Sequence, residues 1–292
     1  MKDIMNLLFE THAFKVSDEN NPFWYTSGKI GPYFINADYL YGSEDDSKEL
    51  LSFINDQLEN VSKLDLPTNV FSKVLEHYNS NEIYKSVIDY MKAFIEKNLD
   101  LNEVDYISGG ERRDWYFSNI IAYLLNKPHI TIFKNLSSVV SNSDFTENKE
   151  VDKLENKKIL HIADLLNYAV SFTRNWIPAI KKLGSNIVWS IFAVDRIQGG
   201  TETLENEGVK VFSLLKIDED LFDTALNLGI INDKQLQMLK NYKKDSDGTM
   251  KTFLINHPEF IENALKSDVV KTQQRVKILI EQDIYGLGLN NK

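Results

Sequence analysis

The sequence predicts an α/β fold, with a central, mostly parallel sheet flanked by helices. Three observations point to it. Short, almost unbroken apolar runs recur between residues 104 and 215. Stretches with helical spacing separate them, and that alternation is the signature of a parallel sheet covered on both faces. Glycine or an acidic residue follows most of the runs, as at the loop ends of strands.

The elements follow in order. Residues 2–10 have helical spacing, with Ile4, Leu7 and Leu8 on one side. In NPFWYTSGKIGPYFIN, Gly28, Gly31 and Pro32 break any helix, and YFIN reads as a short strand. Residues 46–62 and about 68–98 are two amphipathic helical stretches, divided at Leu66–Pro67. VDYIS (104–108) is a strand ended by Gly109–Gly110, WYFSNIIAYLL a helix, and HITIF (129–133) the second strand. The polar stretch from Asn135 to Lys157 reads as a loop. KILHIA (158–163) is the third strand, SFTRNWIPAIKKLG a helix closed by Gly184, and NIVWSIFAV (186–194) and VKVFSLL (209–215) the last two strands. From about residue 216 the pattern is helical, with Asp218, Asn256 and Ser267 as expected caps.

Composition narrows the function. The chain carries 43 acidic against 33 basic side chains, a net charge of −10 that repels nucleic-acid backbones. The absence of cysteine removes disulfides, thiolate nucleophiles and cysteine-based zinc sites together. No run approaches the roughly 18 apolar residues of a membrane span. The N-terminal MKDIMNLLFE is acidic where a leader would be apolar, so a cytoplasmic protein is expected, without membrane or nucleic-acid partners. The five histidines lack ligand spacing, and GxSxG, GxxxxGKS and GxGxxG do not occur.

Three strand-to-helix junctions could hold a ligand, because open parallel sheets bind at the carboxyl ends of their strands. In ISGGERRDWYFS, Gly109 and Gly110 admit close backbone approach, and Arg112 and Arg113 can fork onto phosphate; a tight turn with solvated charges explains the segment equally well. In HIADLLNYAVSFTR, Asp164 can hold sugar hydroxyls or a metal-bound water, with Ser171 and Thr173 at a helix start; loop and helix capping is the structural reading. In VDRIQGG, an Asp195–Arg196 ion pair and a Gly199–Gly200 turn form the structural reading, and Arg196 beside a carboxylate ligand the functional one.

The order of these segments resembles that of the orotate phosphoribosyltransferases, type I phosphoribosyltransferases. THAFKV…SGKIGPYFIN is similar to the family's N-terminal signature. VDYISGGERRDWYFSNIIAYLLNKPHITIFKN is similar to its pyrophosphate-loop region, and ILHIADLLNYAVSFTR to its phosphoribosyl pyrophosphate (PRPP) signature. The VDRIQGG segment and VKVFSLLKI complete the series. The resemblance implies an N-terminal hood with inserted helices (1–103), a core (104–215) and a helical C-terminal extension (216–292). It implies transfer of phosphoribosyl from PRPP to a pyrimidine-like base, with Mg²⁺, in a homodimer. Asp164 and Lys29 would be catalytic, with Asp164 also holding Mg²⁺ through water. Gly109, Gly110, Arg112, Arg113, Lys134, Asn167 and Ser171 would bind PRPP or its phosphates. Tyr33, Phe34 and Arg196 would bind the base.

The chain departs from that pattern at the chemistry. The signature's first acid is Ala163, and its Thr-x-Gly loop is Asn167-Tyr168-Ala169. The loop after Phe133–Lys134 is rich in Ser and Asn and lacks histidine. A non-catalytic nucleotide- or phosphosugar-binding descendant is therefore the alternative, and an interaction role for the helical tail a third.

Overall fold

The apolar runs between residues 104 and 215 pair into one sheet in the computed structural model, which describes residues 4–289. In spatial order its strands are Lys210–Lys216, Asn186–Asp195, Lys158–Leu166, Tyr106–Gly110, His129–Ile132, Ser138–Ser141 and Asn148–Glu150. The first five are mutually parallel, and the last two are added antiparallel. Parallel neighbours require long crossovers. Helices Trp115–Leu124, Ile177–Lys182 and Gly200–Asn206 lie in those connections.

This sheet belongs to a unit formed by the residues up to Ala13 together with Asn36–Asp218. Phe14–Ile35 groups instead with the residues from Glu219 onward, as a second unit. In the first unit, Ile130, Ile159, Ile162 and Phe192 are fully buried, packed with Ile177 and Ile180 of the crossover helix. Each such side chain contributes about 1.5–3 kcal/mol on leaving water.

Two strand readings need correction. The Lys158–Leu166 strand runs past Ala163, because Leu165 and Leu166 pair with Val194 and Asp195. Asp164 thus sits inside the end of the strand, not beyond it. The expected loop from Asn135 to Lys157 holds two strands. Val139 and Val140 are buried and pair with Thr131 and Ile130, while Ser138 and Ser141 flank them and blur the apolar signal.

The helical stretch from 68 to 98 is also two helices, Leu66–Ser80 and Glu82–Asn98. Asn81 divides them: its side chain accepts the Ile83 and Tyr84 N–H groups, both at 3.0 Å. Pro67 opens the first of the two. The second buries Tyr84, Val87, Ile88, Met91 and Ile95, one face of a 3.6-residue period. Before them, Glu44–Asn60 is capped by Ser43 and carries Glu44, Asp45 and Asp46 in its first turn, where negative charge suits the helix dipole. The N-terminal helix is Ile4–Glu10, and Lys2 and Asp3, expected in it, lie outside the described residues.

His129 is fully buried, with Nε2 3.0 Å from Ser118 Oγ and Nδ1 3.1 Å from Thr131 Oγ1. Burial, and then His161, lower its pKa to about 3. The unfolded chain takes up this proton near pH 6.5, so stability is lost as pH falls from there towards 3, by about 1.4 kcal/mol per pH unit. Thermal melts across that range should show the slope in the wild type and a shallower one in His129→Gln. Parallel slopes would assign the acid sensitivity elsewhere.

The second unit contains two short antiparallel pairings, Phe14–Val16 with Tyr33–Ile35 and Phe23–Trp24 with Ile30–Gly31. Five helices accompany them: Glu219–Asn227, Asp233–Lys244, Ser246–Asn256, Pro258–Leu265 and Val270–Glu281. Ile30, Met250, Leu254, Leu279 and Tyr285 form its core, and Trp24 stacks on Phe260 at 5.2 Å. Asn232 and Gln235 make a capping box. Two expected caps differ. Asn256 ends a helix, and His257 is the N-cap of the next. Ser267 accepts the N–H of Val269, which is itself the N-cap. Among the described residues no helix is long and apolar enough to cross a membrane.

Candidate active site

A cleft of about 430 Å³ opens at the carboxyl ends of the Tyr106–Gly110 and Lys158–Leu166 strands. The chain crosses one way along the sheet from Tyr106–Gly110 and the other way from Lys158–Leu166, so the cleft lies at the topological switch point. Two segments line it, Glu111–Asp114 and Ala163–Phe172, joined by Lys134 and Trp176.

Arg112, Arg113 and Lys134 are each held by a neighbour. Arg113 Nε lies 3.0 Å from Asp38 Oδ2, which also accepts Ser47 Oγ at 2.6 Å. Arg112 donates to Asn55 Oδ1. Lys134 Nζ is 3.7 Å from Glu111 Oε1, and its backbone N–H donates to Glu111 Oε2 at 3.1 Å. The peptide between Glu111 and Arg112 is cis. Asp114 closes the turn by accepting the Gly110 N–H at 3.0 Å. Its Oδ2 also lies 3.3 Å from Nε2 of His161, whose Nδ1 is 2.9 Å from Ser108 Oγ.

Asp164 projects into this set and accepts the Leu165 N–H at 2.7 Å. Burial, and then the carboxylates of Asp114 and Asp38, raise its pKa well above the usual range, with Arg113 acting in the opposite sense. The cleft therefore favours a ligand that brings positive charge to Asp164. Mg²⁺ fits this acid, since it keeps several waters and usually takes one or two protein carboxylates beside substrate phosphates. Among the described residues no group of three or more acids and histidines is arranged to hold a metal directly.

The glycines just before the first segment, Gly109 and Gly110, are closed in from behind. A Cβ on Gly110 would meet the Trp176 indole at 2.2 Å, and one on Gly109 would meet Ser118 Oγ at 2.1 Å. Close approach to Gly110 is thus made by Trp176 itself. In the second segment Tyr168 is 62% exposed, and Ala169 has a φ of 57°, a left-handed conformation that glycine adopts without strain. Asn167 Oδ1 is buried without a partner. The following helix carries a π-turn at Phe172–Trp176, and exposed Ser171 precedes it.

Comparison with known proteins places this architecture. The chain is 21% identical over 220 residues to the orotate phosphoribosyltransferase of Sulfolobus acidocaldarius, covering 75% of this chain and 87% of that protein. Its structure superposes on the orotate phosphoribosyltransferase of Francisella tularensis with a TM-score of 0.53 at 15% identity, covering 82% of this chain and 96% of the other. The fold is that of a type I phosphoribosyltransferase. UMP synthase of Leishmania donovani gives the same TM-score and identity, with 41% of its longer chain covered. No protein-family model matches the chain.

On the phosphoribosyltransferase fold, the cleft gathers Arg112, Arg113, Lys134, Asp164, Asn167 and Ser171, all singled out from sequence. Gly109 and Gly110 are buried in the strand that ends at the cleft. Arg196 follows the Asn186–Asp195 strand, where its N–H donates to Leu166 O at 3.0 Å. Asp195 beside it accepts the Ile197 N–H at 2.7 Å and Thr201 Oγ1 at 3.1 Å. Lys29, Tyr33 and Phe34 belong to the second unit. There Lys29 pairs with Asp247 at 2.8 Å, Tyr33 is buried among Phe14, Phe222 and Tyr242, and Phe34 packs on Phe23. Sequence reasoning missed Asp38, His161 and Trp176. No motif marks Asp38. His161 could have been noticed as a polar residue inside a strand otherwise apolar up to Ala163.

Proposed function

We propose that the protein transfers the phosphoribosyl group of PRPP to a pyrimidine-like base of the orotate type. The observation that carries this reading is the convergence of Arg112, Arg113, Lys134 and Asp164 on one cleft at the switch point of the sheet. In the reaction a ring nitrogen of the base bonds to C1′ of the ribose as the C1′–O bond to pyrophosphate breaks; pyrophosphate leaves with that electron pair, and the ring N–H proton passes to it or to solvent. Arg112, Arg113 and Lys134 stabilise the departing charge, and Asp164 holds the ribose hydroxyls and, through water, Mg²⁺. Asn167 and Ser171 receive the 5′-phosphate at the start of a helix. Catalysis of this kind rests on positioning and electrostatics rather than on a covalent nucleophile. Arg196 at the base and a homodimer complete the proposal.

A second reading is a cleft that binds a nucleotide or phosphosugar without turnover. The Tyr168–Ala169 loop and the Arg113–Asp38 and Lys134–Glu111 pairs favour it, because they occupy or neutralise groups that a pyrophosphate would use. Calorimetric titration with PRPP and MgCl₂ tests both. Saturable binding lost without Mg²⁺, followed by release of pyrophosphate when a base is added, supports the transferase. Binding without release selects the second reading, and no binding at about millimolar PRPP rejects the donor.

A further inference from the structure

A second cleft, of about 160 Å³, lies between the start of helix Glu44–Asn60 and helix Leu66–Ser80, and the transferase reading makes no use of it. Asp46, Glu49, Glu76, Lys73, His77 and Tyr41 line it. Lys73 is paired with Glu49 at 2.8 Å, so one ammonium faces three carboxylates. Asp46 accepts Ser43 Oγ at 2.7 Å and has acceptor capacity to spare.

Tyr41 supplies an independent observation. It is 2% exposed, and its hydroxyl is buried without a hydrogen-bond partner. A tyrosine hydroxyl left so in a packed core is costly, which marks the place where a polar atom of a ligand belongs. Burial, then Tyr116, and then Asp46, Glu49 and Glu76 hold its proton on, so the hydroxyl lies within the field of the acids that line the cleft. Its ring stacks on His77 at 4.1 Å between centroids and 19° between planes. His77 Nε2 donates to the Tyr41 carbonyl at 2.6 Å, since a carbonyl can only accept.

We propose that this cleft binds a small organic cation, an alkylammonium or guanidinium compound, with its head between the carboxylates of Asp46 and Glu76 and the hydroxyl of Tyr41. Carboxylates and a hydroxyl acting as acceptors are the chemistry that recognises such heads. The volume matches about five waters at roughly 30 Å³ each, room for a head group and a few carbons. A bare metal ion fits less well, since among the described residues no acid cluster is arranged to coordinate one.

The test is a calorimetric titration of the full chain with agmatine, which carries both kinds of head. Saturable binding that weakens with salt is expected, and Glu76→Gln and Tyr41→Phe should each weaken it about tenfold. Tyr41→Phe keeps the stacked ring and removes an unpartnered hydroxyl, so its melting temperature should hold or rise, which separates lost binding from lost folding. Asp164→Asn should leave agmatine affinity unchanged whatever happens to PRPP, so this proposal and the transferase reading stand or fall separately. No saturable heat up to about 10 mM agmatine, equal affinity in wild type and both variants, or displacement of agmatine by equimolar MgCl₂ overturns it.

Discussion

Asp164→Asn is expected to weaken PRPP binding, and any pyrophosphate release, by about a hundredfold or more. The substitution is nearly isosteric and removes the charge that Mg²⁺ and the ribose hydroxyls would meet. It should not destabilise the fold. In the free protein Asp164 already keeps its proton above the usual carboxylate range, because of burial and then Asp114 and Asp38. The sign follows from proton counts. Above about pH 4 the unfolded chain has released this proton and the folded one retains it, so wild-type stability is drawn down as pH rises. The Asn variant escapes that loss and should melt level with the wild type in acid and above it near neutral pH. Calorimetry and thermal melts on the same samples check both halves. Undiminished PRPP affinity in the variant would remove Asp164 from the site, and a variant that melts well below wild type at pH 7 would contradict the electrostatic account.

Gly110→Ala should cost about 2–3 kcal/mol and lower the melting temperature by several degrees. The new methyl group would fall 2.2 Å from the Trp176 indole, which is 3% exposed and packed into the sheet's helical cover. Trp176→Ala alone should cost about 3–5 kcal/mol through the cavity it leaves. The two changes are not additive: with the indole gone, the alanine methyl has room, and the double variant should melt close to Trp176→Ala. A Gly110→Ala protein that melts with the wild type would mean the indole moves aside freely. Its rigidity as the back wall of the cleft would then be lost as an explanation.

The α/β class and the succession of parallel strands along the chain were legible because period and composition agree there. Ile159, Leu160 and Ile162, or Ile191 and Phe192, are apolar on both faces and lie between glycine or polar breaks. What misled was polar sequence with a backbone role. Asn81 ends a helix that the apolar spacing continues through, and the Ser138–Ser141 strand is half serine. At the cleft, the residues near Gly109 and Asp164 were found because strand ends carry ligands in this topology. Asp38 was not, because what brings it to Arg113 is pairing in space over 75 positions of sequence (113 − 38). Nothing in the sequence separates Trp176 from the apolar residues around it; packing against the missing Cβ of Gly110 brings it to the cleft.

The discontinuous second unit has a consequence for biosynthesis. Phe14–Ile35 emerges from the ribosome about 180 residues before Glu219, the first of the helices with which it forms a unit. At about 5–20 residues per second that is an interval on the order of ten to forty seconds. Its two short hairpins are marginal alone, and through that time they hold Trp24 and Ile30 without the Phe260 ring and Tyr285 that later contact them. Tyr285 follows Ile30 by 255 residues, so the nascent chain carries an unfinished apolar edge throughout that interval. Holding chaperones have a long opportunity on residues 14–35, and a ribosome stalled before residue 285 would leave that edge open.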